Sequence, residues 1–321
     1  MTSPLTQFPN RQDIAECQST YGKTILLSIG GSTYTEGGFS TSTDAVAAAN
    51  NLWSIFGPEV SGSSVPRPFG ASVIDGFDFD FESTVSNMPA FANQLRSLMS
   101  ASTPSTGKTY YLTAAPQCPY PDAADGPMLA GQVSFDAIWI QFYNNYCGLQ
   151  SFTVGSSTQN NFNFDTWDNW AKTVSLNPNV KVILGVPGNT GAGAGYESGS
   201  TLADIIAYSK SFSRFGGVMI WDMSQAYANS GFLDSVSADL GLPASGGGGT
   251  TTTLTTTTTT SAATTFTTVT TTATTTSSGA TSTASLVSQW NQCGGEGWTG
   301  GTVCEPPYVC TELSAWYSQC E

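Results

Sequence analysis

The segment Asp75-Gly-Phe-Asp-Phe-Asp-Phe-Glu82 restricts the fold of this chain more than any other. On a β-strand successive side chains point to opposite faces, so Asp78, Asp80 and Glu82 share one face while Phe77, Phe79 and Phe81 share the other. The aromatic face needs an apolar layer over it. A parallel sheet is covered on both faces, so within one the acidic face has to line a pocket. Like charges about 7 Å apart along a strand raise one another's pKa, and burial adds to the rise, so some of the three are expected to be protonated near neutral pH. A carboxylic acid that keeps its proton at neutral pH can donate it to a leaving group. Glu82 stands at the C-terminal end of the strand, where the active sites of α/β barrels lie. Two other readings stay open at this point: a metal site of carboxylate oxygens, and a half-exposed strand with a solvated acidic face. Asp75 falls out of phase with the trio, unless Gly76 breaks the alternation locally.

Composition removes several chemistries. The 321 residues contain no histidine, which excludes Ser-His-Asp and Cys-His nucleophiles and imidazole-based zinc sites. Proton transfer then falls to carboxylates, Lys, Tyr or Cys. Charged residues are 10% of the chain and the net charge is -14, so the basic footprint that a phosphate backbone requires is missing and nucleic acid is not an expected partner. Neutral ligands suit such a chain better. No run approaches the ~18 to 20 apolar residues of a membrane span, so no membrane partner is expected. No cofactor or metal is expected either.

Six apolar runs read as strands: Ile25-Gly31, Val73-Glu82, Tyr110-Pro116, Phe135-Asn144, Lys181-Gly188 and Gly216-Met223. Helix-like stretches such as Asp44-Phe56, Met88-Met99 and Leu202-Phe212 lie between them, and a helix over Gln12-Tyr21 leads into the first strand. Strands alternating with helices imply a parallel sheet with right-handed crossovers, and about 240 residues is the size of an eight-stranded (β/α)8 barrel. The expected fold class is therefore α/β, a barrel of the TIM type with six of its eight strands. Residues 1–244 form this domain. Residues 245–285 are a Thr/Ser/Gly-rich tract without a charged residue, which cannot bury enough apolar surface to fold and reads as a linker. With no Asn-x-Ser/Thr sequon in the chain, any sugars on this linker would be O-linked. Residues 286–321 hold four of the seven cysteines, Cys293, Cys304, Cys310 and Cys320, as small disulfide scaffolds do. Spacing alone allows three pairings among them.

The acidic strand carries a resemblance. DGFDFDFE fits the DxxDxDxE signature of family 18 glycoside hydrolases, and Ser28-Ile-Gly30-Gly31 fits the SxGG motif of the preceding strand in that family. YYLTAAPQCPYPD, FDAIWIQFYNNYCG, VILGVPG and GGVMIWD follow in the same order, so residues 1 to 242 resemble a fungal or plant-type class III chitinase. The resemblance implies endo-hydrolysis of β-1,4-linked N-acetylglucosamine polymers. Glu82 matches the acid that protonates the glycosidic oxygen, Asp80 the aspartate that orients the substrate's acetamido group, and Asp78 the residue that shares a proton with Asp80. Tyr143 matches the tyrosine holding the acetamido carbonyl, with Gln141 beside it, and Trp221 the floor under the sugar ring. Gly31 and Asp75 are carried over as substrate-binding positions. Cys118 and Cys147 match a disulfide of the family.

The terminal segment resembles a family 1 carbohydrate-binding module, whose pattern implies the pairs Cys293 with Cys310 and Cys304 with Cys320. Its polysaccharide-binding positions would be Trp290, Trp316, Tyr317 and Gln319. Chitin and, through this module, cellulose are the expected partners, for an extracellular monomer. Relative to the family, two strand-helix units and a secretory signal before the SxGG strand are missing. The expectation is a truncated N-terminus, with Cys17 left unpaired and two sheet edges exposed. Two further functions compete: a sugar-binding or inhibitory barrel without catalysis, and a cellulase or xylanase, which would need a second carboxylate ~5 to 9.5 Å from the first.

Overall fold

Each apolar run becomes a strand of one parallel sheet: β1 (Leu26–Gly31), β2 (Gly76–Phe81), β3 (Tyr111–Ala114), β4 (Ala137–Gln141), β5 (Lys181–Pro187) and β6 (Phe215–Trp221). The computed structural model describes residues 11–242, 286–287, 292–294, 301–314 and 317–320, in two units, Met1–Thr250 and Thr251–Glu321. Strands pair in chain order from β1 to β6, every neighbouring pair parallel. Helices α1 (Arg11–Ser19), α2 (Ser42–Phe56), α3 (Met88–Thr106), α4 (Gly126–Leu129), α5 (Phe164–Thr173) and α6 (Gly199–Lys210) lie before and between them, and α7 (Met223–Ala228) and α8 (Phe232–Leu240) follow. This is the winding of a (β/α) barrel. Among the described residues β1 and β6 do not pair with each other, so the barrel is incomplete and has two strand edges.

The alternation in β2 is realised. Phe77, Phe79 and Phe81 are buried, while Asp78 and Asp80 are half-buried on the other face. Phe79 meets Phe91 of α3 at 5.8 Å and Phe135 at 6.2 Å between ring centroids. Phe91, Ala92, Leu95 and Met99 form the buried stripe of α3, recurring at the helical period. That stripe explains why an interrupted polar sequence still forms a long helix. It runs on to Thr106, beyond the expected Met99, and closes on Gly107 in the left-handed conformation. β5, flanked on both sides, is buried from Val182 to Pro187, whereas β6 at the edge is largely only half-buried.

The second unit has a three-stranded antiparallel sheet in the order β7 (Gln292–Gly294), β9 (Tyr317–Cys320), β8 (Cys310–Ser314). Cys293 is bonded to Cys310 and Cys304 to Cys320. Buried cysteines, with Val287 and Tyr308 against them, take the place of an apolar core, as expected where so few residues must hold a fold. Tyr317 and Gln319 lie in β9, while Trp290, Trp316 and the tract 245–285 fall outside the described residues. No described helix is long and apolar enough to cross a membrane.

Candidate active site

Register places the acidic face. Ser28 of β1 and Thr113 of β3 stand on either side of Asp78, and Gly30 stands opposite Asp80. Ser28 Oγ donates to Asp78 Oδ2 at 3.0 Å and Thr113 Oγ1 to Oδ1 at 2.5 Å. Burial raises the Asp78 pKa against these donors and one from Trp139. The small residue at position 30 is a packing requirement: a Cβ there would collide with the Asp80 carbonyl. Gly31, with φ +89°, turns the chain out of the strand.

Asp80 accepts a hydrogen bond from Gln141 Nε2 at 3.0 Å, and the same amide nitrogen donates to the Ala115 carbonyl at 2.9 Å. Both protons of that amide are used, so its sense is fixed. Burial pushes the Asp80 pKa up to about 7, and the charges of Glu82 and Asp78 add to the effect. Glu82 follows β2 immediately and is open to the groove on one side. Burial of the remainder raises its pKa, a hydrogen bond from Gln117 opposes the rise, and the charge of Asp122 adds to it. Tyr143 is buried beside the carboxylates, and burial together with their charge makes its hydroxyl harder to ionise.

Asp78, Asp80, Glu82, Gln141, Tyr143 and Trp221, the last half exposed at the end of β6, line one cavity of about 520 Å³. No Lys or Arg is among its lining residues. No opposite charge therefore offsets the rise that burial gives these three carboxyls. The cavity brings together a carboxyl open to the groove, two further carboxyls on the same strand face, a phenol and an indole. Among the described residues, the cluster whose sulfur or carboxylate ligand atoms approach within 4.8 Å is Cys293, Cys304 and Cys320, all in disulfides.

Two carried-over positions are corrected. Asp75 is not part of the cavity: it precedes β2 at the strand's opposite end, where it pairs with Lys108 Nζ at 2.9 Å and accepts from Gln18 Nε2 at 2.8 Å and the Ile25 N–H at 2.7 Å. Gly31 does not line the cavity either; its neighbour Ser32 does. Cys118 and Cys147 are bonded, tying the loop after β3 to the loop after β4. Contributors that escaped the sequence reading include Gln117, Asn144 and Trp139. Gln117 touches Glu82, and the other two line the cavity. Gln117 and Asn144 sit within quoted motifs, but only strand register brings them to the carboxylates.

Comparison with known proteins identifies the family. Residues 2–194 match the family described as Glycosyl hydrolases family 18, and residues 289–317 match the Fungal cellulose binding domain. A protein of Arthroderma benhamiae described as a class III chitinase is 58% identical over 231 residues, covering 71% of this chain and 69% of the relative. The structure of a chitinase from Ipomoea carnea aligns with TM-score 0.57 and 28% identity, over 72% of this chain and 78% of that one. A xylanase and α-amylase inhibitor protein from Scadoxus multiflorus aligns with TM-score 0.59 and 31% identity, over 73% and 80%. Sequence, fold and relatives converge, and the chain belongs to glycosyl hydrolase family 18.

Proposed function

We propose that this chain hydrolyses β-1,4 linkages within chitin, with retention of configuration and with the substrate's own acetamido oxygen as nucleophile. The observation that carries the reading is the pairing of an acid open to the groove, Glu82, with a half-buried Asp80 whose proton affinity is raised to about 7. Glu82 protonates the glycosidic oxygen as the acetamido oxygen attacks the anomeric carbon. Asp80 stabilises the positive charge that develops on the acetamido nitrogen, and Asp78 takes up the shared proton behind it. Tyr143 holds the acetamido group and Trp221 carries the sugar ring. Glu82, now a carboxylate, accepts a proton from the water that opens the oxazolinium ion, which restores the starting state. Family 18 is one of the substrate-assisted exceptions to the two-carboxylate scheme, so a carboxylate nucleophile is not required.

In this reading residues 1–244 are the catalytic domain, 245–285 the linker and 286–321 a polysaccharide anchor acting outside the cell. Its binding positions are Trp290, Trp316, Tyr317 and Gln319, and its ligand is chitin or cellulose. The description of the Scadoxus multiflorus protein as an inhibitor favours a second reading, a barrel that binds without cleaving. The presence of Glu82, Asp80 and Tyr143 around one cavity supports catalysis. Chitin oligomers assayed against cello-oligomers, with Glu82→Gln as control, test the choice. Cleavage of chitin oligomers by the unmodified chain alone supports the enzyme; binding without cleavage supports the second reading, and cleavage of cello-oligomers alone defeats both.

A further inference from the structure

Two glutamines stand side by side at the C-terminal ends of β3 and β4, where Gln117 and Gln141 form an isolated parallel bridge. Gln141 serves Asp80, as described. Gln117 reaches the other carboxylate: its Nε2 lies 3.5 Å from Glu82 Oε2. That length is at the limit for a hydrogen bond, and such contacts tighten when substrate closes a site. The rest of Gln117 is held. Its backbone N–H donates to Asp122 Oδ2 at 3.1 Å, and its Oε1 accepts from Asn145 Nδ2 at 3.1 Å. With its carbonyl engaged by Asn145, the amide presents its NH2 to Glu82. The disulfide between Cys118 and Cys147 ties the residue after Gln117 to the loop that carries Asn145.

We propose that Gln117, turned by Asn145, is the positioning residue of Glu82, donating to the carboxylate that remains once Glu82 has given its proton to the leaving group. The inference rests on the chitinase reading for its catalytic meaning, though not for its geometry. A donor to the charged form favours that form. The titratable groups acting on Glu82 are Asp80 and Asp78 of β2, Asp122 and the fully buried Asp125 from the loop after β3, and Tyr143 from the loop after β4; no Lys or Arg lines the cavity to assist. Gln117 is thus the neighbour that helps the ionised state needed for the second half of the reaction.

The test follows the Glu82 carboxyl by carbon NMR in the full chain carrying 13C-labelled glutamate, the resonance being assigned by its loss in Glu82→Gln. Gln117→Met keeps length and removes the amide, and should raise the titration midpoint by roughly half a pH unit, about 0.7 kcal/mol at 1.36 kcal/mol per unit. Asn145→Leu leaves the amide unguided and should give a smaller rise. The double variant should match Gln117→Met alone, because Asn145 acts through Gln117. On chitin oligomers the basic limb of kcat/KM should move in the same direction. A midpoint unmoved in folded Gln117→Met, or two shifts that simply add, overturns the proposal. A chain that titrates as expected but leaves chitin intact defeats the chitinase reading and spares the positioning one.

Discussion

The two ends of β2 carry the same kind of side chain in opposite circumstances. Before the strand, Asp75 meets a cation, a side-chain amide and a backbone N–H. At its other end, Asp80 in the strand and Glu82 just after it meet amides only, and the cavity offers no Lys or Arg. A half-buried carboxylate with a cation beside it fixes neighbouring chain segments, here α1, β1 and the start of β3. One without a cation gains proton affinity, and that makes it a usable acid. Chemistry at one end of the strand and architecture at the other follow from where Lys108 sits.

Four measurements press on that contrast. Glu82→Gln should lower kcat on chitin oligomers by ~10³-fold or more, the scale of losing a positioned general acid, with the unfolding temperature nearly unchanged. Asp80→Asn should cost roughly 10²-fold in kcat, since it removes charge stabilisation and keeps the shape. Asp75→Ala should do the reverse: denaturant unfolding should show a loss of about 1–3 kcal/mol, because Lys108 and the Ile25 N–H lose their shared acceptor, while kcat/KM of the folded protein is retained. An Asp75→Ala chain of full stability and no activity would erase the distinction between the two ends. The smallest effect is on pH. The folded pKa of Asp80, about 7, lies above its unfolded value near 3.8, so between those values the native state holds more protons than the unfolded one. This group's contribution is therefore greatest below about pH 4 and lost as pH rises through 7. The unfolding temperature measured from pH 4 to 8 should fall along that window more steeply in the unmodified chain than in Asp80→Asn. Equal slopes would mean that Asp80 titrates where an exposed aspartate does.

Much of this was legible in the sequence because it is written in local periodicity. The alternation of β2 predicts its two faces, and apolar runs predict all six strands to within a few residues at either end. Helix α5 was not anticipated. Its segment Phe-Asp-Thr-Trp-Asp-Asn-Trp-Ala-Lys-Thr mixes aromatics with acids, and its buried side includes Asp168, which is held by Lys172 and by the Arg214 N–H at 2.9 Å. Burying that charge inside the helix face depends on Lys172 one turn on and also on a backbone N–H 46 residues away, which local sequence does not reveal. Gln117 was missed for a related reason: only the pairing of β3 with β4 aims it at the carboxylate just after β2. The reading of Asp75 failed differently. Gly76 does adopt φ +148°, with space for no Cβ beside the Tyr111 carbonyl, but the question of face was secondary. Asp75 is at the wrong end of the strand, and phase along a strand says nothing about which end holds the cavity.

The bare backbone at Gly30 has a practical meaning for anyone wishing to reshape this protein. Because the Asp80 main chain occupies the place of a side chain there, position 30 is closed to random diversification, and libraries aimed at substrate range belong on Ser32, Trp139 and Asn144. The same closeness makes Gly30→Ala a one-carbon wedge: it would displace Asp80 without changing any group that titrates, stacks or donates, and so measure how finely the reaction depends on where that carboxylate stands.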